Sequence, residues 1–580
     1  MKLYVFAFAV LTLLYISCNA EKTSNAAEEL KGVITTVDTF KLYERDEYPL
    51  GRFDSVIYKK DADFAGTQLK RLEEIDTASL DETELISWKL LHFVLQNRID
   101  RFTHNMHLNP IQADQGFHLN LNYRIRDINT AGEAEEYLSV LAAIPRFTRE
   151  HLVLLKEGLH LGLSQPKVIF KNYAPTYDRH IVDIPDSSDF FRPVQKLPST
   201  LSPVRKDSII AAARELIRDS VVPSFKLIKE FFEEEYIPGT RTTVGISETP
   251  GGKSFYQNRI DYYTTTRQYS ADDIHQLGLS EVARIRSAMD SVINVLGYEG
   301  GLQQFIAWLR TDPQFYTETP ESLLMEARDI AKRIDAKLPA YFKTLPRRPY
   351  GVKKVPDALA PIYTGGRYSP PSSPTQPGYY LVNTYKLNSR PLYVLPALTA
   401  HEAVPGHHLQ GSLNRELGDS IPEFRKNLYL SAYGEGWALY TENLAEEMGI
   451  YTTPYEYFGK LTYEMWRACR LVVDTGIHAM GWSRQEAVDY LASNTALSMH
   501  EVNTEIDRYI AWPGQALSYK MGELKIRELR KSAEEALGEN FDIREFHEII
   551  LEQGTVTLPI LEDRVKDYIK KKQPQTPLQG

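Results

Sequence analysis

Three imidazoles and a carboxylate fall within the ten residues His401-Glu402-Ala403-Val404-Pro405-Gly406-His407-His408-Leu409-Gln410. These are a metal site's residue types. In the pattern H-E-x-x-H, two histidines one helical turn apart hold Zn²⁺ and the intervening Glu works on the bound water. Here the second histidine comes later. At 100° per residue His407 lies about 240° round from His401, and His408 about 20° short of full register, so an unbroken helix favours His408. It also separates the two by about 10.5 Å along the axis, an awkward span for ligands about 2.0–2.1 Å from one zinc. Pro405 would clash with the carbonyl of His401, its i−4 residue, so a broken helix is expected. With Val404-Pro405 or Pro405-Gly406 as a two-residue bulge, Gly406-His407 takes the place of Gly-His in H-E-x-G-H. His407 is then the second ligand, with His408 behind it and as the alternative ligand. Ordinary histidines capping a kinked helix are the competing account, and clustered His with a carboxylate speaks against it.

An open zinc site needs a third protein ligand. Glu435 is the candidate, set between Gly434 and Gly436 and followed by Trp437, Leu439 and Tyr440. Glu442, seven residues on and on the same helical face, is placed to orient a ligand histidine. Further along, Arg470, Asp474 and His478 recur every four residues and stack on one face. They are either a buried ion-pair column bracing the zinc helix, or a route for His478 to the reacting carbonyl. The stretch Asp507–Lys520 surrounds a Pro513-Gly514 turn with polar and aromatic groups. Tyr519 or Tyr509 is a candidate oxyanion donor, with His547 as an alternative. Arg508 or Lys520 is a candidate for a peptide's terminal carboxylate, and Gln515 is a further candidate substrate contact. Surface tyrosines and solvated charges around a turn are the plainer account of each.

The elements that must position these groups are mostly helical. Leu85, Ile86, Trp88, Leu90, Leu91, Phe93 and Val94 recur at helical spacing, as do Ile209, Ile210, Leu216, Ile217, Val221 and Val222. Asn105–Asn122 reads as a loop, and Thr240–Gly252, rich in Thr, Gly and Pro, as a boundary or long loop. Ser270 with Asp272 and Asp273 marks a helix start. Thr364–Pro374 is a loop of breakers. Strands are expected at Tyr379–Tyr385 and Pro391–Leu395, leading into the His401 helix, where they either support it or pair with an extended peptide by strand addition.

The chain of 580 residues, with 43% hydrophobic and 25% charged residues, is ordinary for a globular protein. Its 77 acidic against 67 basic residues leave a net charge of −10, which argues against nucleic acid as a partner. Lys2 precedes an apolar run from Leu3 to Ile16, too short to span a bilayer and of signal-peptide length. Residues 1–20 are thus a leader, with Cys18 either lipidated, and 21–30 a tether, or part of an ordinary cleavage site. Removing the leader leaves Cys469 alone, so no disulfide framework is expected. The tail 570–580 reads as frayed.

H-E-A-V-P-G-H-H-L-Q at His401–Gln410, E-G-W-A-L-Y at Glu435–Tyr440, L-V-V-D-T-G-I-H-A-M-G-W at Leu471–Trp482 and R-Y-I-A-W-P-G-Q-A-L-S-Y-K-M-G at Arg508–Gly522 together resemble domain-of-unknown-function family 885, grouped with zinc metallopeptidases. The resemblance implies a mainly helical zincin-like architecture with a deep cleft and a small β element beside the zinc helix. It implies one catalytic unit over 30–569, with a helical N-terminal half (30–240) and a zinc-binding half (250–569). The expected function is that of an exported, periplasmic or membrane-anchored, zinc metallopeptidase with one Zn²⁺ per chain. His401, His407 and Glu435 are the ligands, Glu402 the base assisting attack by zinc-bound water, and Tyr519 or His478 the group meeting the carbonyl. Peptides are the expected substrates, with carboxypeptidase-like trimming open. The alternatives are a zinc hydrolase of non-peptide amides or esters, and an inactive surface binding protein. Membrane contact is expected only through a lipid on Cys18, and the sequence sets no oligomeric state.

Overall fold

Side-chain caps start many of the helices. Thr130 accepts from Glu133 N at the head of α1 (Ala131–His160), and Ser202 from Arg205 N at the head of α2 (Pro203–Leu216). Ser270 and Asp273 exchange bonds in a capping box that opens α3 (Ala271–Val295), satisfying donors the first turn otherwise leaves open. The computed structural model describes residues 25–113, 115–357, 360, 364–371, 373 and 375–573. The expected leader, Cys18 included, and most of the expected tail lie outside the described residues.

The chain divides into two compact units. One holds the chain up to Leu80, Leu91–Phe255 and Thr504–Trp512. Among its described residues the regular elements are helices, and α2 runs on through two wide turns, Ile217–Val221 and Phe231–Tyr236, with helix between and after them. Each wide turn ends just ahead of a proline, Pro223 and Pro238, whose ring and missing N–H disturb the normal i→i−4 ladder.

The other unit holds Asp81–Leu90, Tyr256–Asn503 and the chain from Pro513 on. It carries a three-stranded sheet of β1 (Tyr350–Lys354), β2 (Gly366–Ser369) and β3 (Gly378–Val382), in the order β1-β3-β2. β3 pairs parallel with β1 and antiparallel with β2, with Tyr368 opposite Tyr380. The expected strand at Tyr379–Tyr385 is therefore β3. Both its edges are taken, which closes it to strand addition by a peptide.

Two other expectations are corrected. Pro391–Leu395 is a 3₁₀ turn, Leu392–Val394, running into a helix, because Pro396 sits in that helix's first turn and favours helical φ. The breaker-rich loop contains β2, whose short Gly-Arg-Tyr-Ser strand is stabilised by pairing with β3 rather than by its own propensity.

The site is built on the helices that follow: α4 (Leu395–Glu402), α5 (His407–Arg415), α6 (Ser431–Glu447), α7 (Pro454–Ala479), α8 (Ser518–Leu537) and α9 (Ile543–Leu551). α6 and α8 touch backbone to backbone. A Cβ on Gly436 would lie 2.5 Å from Gly522 Cα, and one on Gly522 would lie 1.9 Å from Ala432 O. Only glycine at both positions allows that crossing. Trp437, Tyr433 and Tyr440 of α6 are fully buried around it.

Candidate metal centre

The helix breaks where Pro405 requires. α4 ends at Glu402, α5 starts at His407, and Val404–Pro405 is a cis peptide. Backbone groups stay paired through the break: Ala403 N donates to Thr399 O, Gly406 N to Ala400 O and His408 N to Ala403 O, at 2.9–3.0 Å. Gly406 lies flat on the end of α4, where a Cβ would come within 1.9 Å of His401 O. The turn brings the rings of His401 and His407 to 4.8 Å, nearly perpendicular at 87°.

Glu435 reaches the same point from α6. Its Oε2 lies 3.6 Å from His401 Nε2 and 3.4 Å from His407 Nε2, and the three donor atoms all fall within 4.8 Å of one another. Tetrahedral bonds of 2.0–2.2 Å place donors about 3.3–3.6 Å apart. Two imidazoles and a carboxylate so arranged fit a small tetrahedral cation with one position left over. His401 Nδ1 donates to Glu442 Oε1 at 2.8 Å, which leaves Nε2 as the lone-pair nitrogen. The electrostatics favour positive charge here. Burial opposes the His401 imidazolium, but Glu435 and Glu442 outweigh it and raise the pKa to about 9. Burial likewise opposes the Glu435 carboxylate, but His407 and His401 hold it well below the usual range.

Successive turns of α6 explain the sequence around Glu435. Trp437 Nε1 donates to Pro405 O at 2.9 Å, and Thr441 Oγ1 to Ala400 O at 3.2 Å. With Glu442 beneath His401, one helix supplies a ligand and braces both sides of the break. Tyr429 adds a hydrogen bond from its hydroxyl to Glu435 Oε1 at 3.0 Å, its ring lying across Gly434. Tyr429 was not anticipated, and its signal was a small residue placed beside the ligand.

Glu402 sits beside the donor set, and its Oε2 accepts from the backbone N–H of Tyr368 in β2 at 2.7 Å. Tyr368 also escaped the sequence reading, because nothing in a breaker-rich stretch marks a strand. His408 faces away from the cluster. Its Nε2 lies 3.1 Å from Arg348 O and its Nδ1 3.2 Å from the Tyr368 hydroxyl, so both nitrogens are engaged at the sheet rather than as the alternative ligand. Burial pushes its pKa down to about 4.

The later motifs separate. Tyr519, in the first turn of α8, is half-buried, lies 4.2 Å from the Arg470 guanidinium, and acts electrostatically on Tyr429. Arg470, Asp474 and His478 share a buried face of α7. The Asp474 carboxylate accepts from the Tyr256 hydroxyl (2.7 Å) and Gly514 N (3.1 Å), and the His478 ring packs 5.2 Å from Tyr256. Gln515 is buried in the 3₁₀ turn after Gly514.

Lys520 and His547 are corrected as substrate contacts. Lys520 is wholly buried, with Glu281, Glu464 and Glu523 at 2.9–3.0 Å. Three carboxylates already neutralise it. His547, in α9, is also fully buried, its Nε2 accepting from the Tyr440 hydroxyl and its Nδ1 donating to Tyr341 O, each at 2.8 Å. With both ring nitrogens engaged it has no polar atom to offer a carbonyl, and burial lowers its pKa to about 3. Arg508 pairs with Glu505 at 3.0 Å and, like Tyr509, belongs to the other unit.

A solved structure described as a "putative lipoprotein" of Colwellia psychrerythraea is similar at 26% identity and a TM-score of 0.84, covering 96% of this chain and 99% of that one. Another, of a "putative lipoprotein of unknown function" from Shewanella oneidensis, is similar in fold at 18% identity and a TM-score of 0.68, covering 94% and 99%. A search of curated proteins returns no match. Among the described residues no helix is long and apolar enough to cross a membrane. The family model described as "Bacterial protein of unknown function (DUF885)" matches residues 44–565, and the chain therefore belongs to the DUF885 family.

Proposed function

We propose that this chain is a zinc-dependent peptidase of zincin-like architecture. The observation that carries the proposal is the convergence of His401 Nε2, His407 Nε2 and Glu435 Oε2, with Glu402 next to them in sequence and held by a backbone amide. Zinc bound by these residues would supply a Lewis acid for a peptide carbonyl and for the attacking water. Glu402 takes the proton of that water and passes it to the leaving nitrogen. Tyr519, or Tyr429 once it turns from Glu435, donates a hydrogen bond to the developing oxyanion. Glu442 keeps His401 in the tautomer that presents Nε2.

The apolar run after Lys2 and the descriptions of the two solved relatives support an exported protein anchored by lipid on Cys18. Mass spectrometry of the mature N-terminus tests this, and an unmodified Cys18 or a cleavage elsewhere refutes it.

The function is tested by elemental analysis together with digestion of a peptide library, with ester and acyl-amide substrates alongside. Wild type is expected to carry one zinc and cut peptides. His407→Ala and Glu435→Ala are expected to lose the metal. Glu402→Gln keeps it and loses about 10²–10⁴ in rate. Turnover that survives Glu402→Gln, or a protein that takes up no zinc, overturns the proposal. Cleavage confined to esters or acyl amides moves the substrate class.

A further inference from the structure

His408 has no part in the chemistry above, yet both of its ring nitrogens are engaged beside the sheet. Arg348 O can only accept, so His408 Nε2 carries the proton and donates at 3.1 Å. Nδ1 is then the acceptor, and the Tyr368 hydroxyl donates to it at 3.2 Å, with Ser412 Oγ beside it at 3.3 Å. The main chain of the same tyrosine faces the other way, its N–H donating to Glu402 Oε2 at 2.7 Å. Tyr368 thus joins the imidazole to the carboxylate, by its side chain on one side and its backbone on the other. The space for this meeting is made by Gly378 of β3, where a Cβ would lie 2.6 Å from the Tyr368 hydroxyl and 2.9 Å from His408 Nδ1.

β2 is an edge strand of four residues paired only with β3. A strand so short is weakly held by its ladder alone. The amide it aims at Glu402 occupies one carboxylate oxygen and sets the rotation of the group, leaving the other oxygen to work as a base. A carboxylate free to turn would spend much of its time misaligned.

We propose that His408 is a positioning residue for Glu402, acting through Tyr368 and β2 rather than through the metal. The proposal rests on Glu402 being the proton carrier of the preceding section. It accounts for two adjacent histidines with different tasks, His407 toward the donor set and His408 toward the sheet.

Three measurements on the purified full-length protein test it: zinc content, residue-resolved hydrogen–deuterium exchange at the Tyr368 amide, and kcat with KM. His408→Ala and Tyr368→Phe are each expected to keep zinc, speed exchange at Tyr368 about threefold to tenfold, and lower kcat by a similar factor at unchanged KM. The double variant is expected to be no worse than either single one, and His408→Asn, which keeps an acceptor, to recover most of the loss. Unchanged exchange and kcat in either variant overturns the proposal. Zinc loss in His408→Ala with a harmless Tyr368→Phe overturns it too, since His408 would then be a ligand. If wild type cuts no peptide, the peptidase proposal falls, and exchange at Tyr368 decides the tie alone.

Discussion

Glu442 contributes nothing to the donor set, yet it decides which nitrogen His401 presents. Its Oε1 holds His401 Nδ1 at 2.8 Å, and Arg467 Nη2 lies 3.8 Å behind it. Removing such a partner typically costs about 10–100-fold in metal affinity. Glu442→Ala is therefore expected to bind zinc that much more weakly while keeping the ligands, as competition with a chelator of known affinity would measure. An unchanged affinity would show the tautomer to be set elsewhere. The candidate ligands were legible because their types are few and crowded, and Pro405 at i+4 from His401 announced the break. Tyr429 and Tyr368 were not legible, since each meets its carboxylate through tertiary packing that no spacing encodes. Lys520 was misread for a related reason: a lysine's sequence neighbours do not reveal three carboxylates arriving from α3, α7 and its own helix.

The elements that carry these residues make sharper demands than their hydrophobic stripes suggest. α6 and α8 meet at Gly436 and Gly522 with no room for a methyl group. Gly522→Ala must push the helices apart, and Glu435, one residue from the crossing, moves with them. The expected outcome is a loss of about 2–4 kcal/mol in chemical denaturation and weakened zinc binding. Normal stability and zinc content would mean that the crossing yields. The buried Lys520 behaves differently. Lys520→Met removes the central cation from Glu281, Glu464 and Glu523, which keep the flanking Arg284, Lys460 and Arg527, and losing one partner of a buried ion group costs about 3–5 kcal/mol. Its zinc content at low temperature should stay normal, separating this brace from the metal centre. Helix caps and stripes had pointed correctly to a mainly helical chain. The strand errors at Pro391–Leu395 and Gly366–Ser369 arose where proline geometry and a neighbouring strand, rather than local propensity, set the conformation.

Across the molecule, acid is expected to lower stability through buried histidines, His408 and His547 in one unit and three more in the unit without the candidate metal centre. His118, His151 and His180 are buried there, and burial lowers their pKa values to about 3, 4 and 4. His180 and His151 add to this at His118, Arg146 at His151 and Arg179 at His180, against the Phe147 backbone hydrogen bond at His151 and Asp189 at His180. In the unfolded chain they take up protons near pH 6.5. Stability is thus whole above that pH and falls below it, until the folded-state values near 4 are reached. At pH 5 the loss is up to about 2 kcal/mol per histidine. Neither ring nitrogen of His180 has a hydrogen-bond partner among the described residues, so His180→Phe should flatten the decline. Urea midpoints at pH 7 and pH 5 check this, and equal midpoints would contradict it. On the proposed function, zinc would bind the other unit. At a thousandfold excess over its Kd it would add about 4 kcal/mol, so a chelator should lower that unit's melting transition.

The two units are written alike along the chain, each from three separate stretches. The donor set is complete in one stretch from His401 to Glu435, so closing it costs little loop entropy. The unit that holds it nevertheless closes with the chain from Pro513 on, whose α8 crosses α6 at Gly522. As the chain is made, every candidate ligand therefore emerges before the helix that fixes the position of Glu435, and the donor set takes its final geometry only when that last stretch is in place.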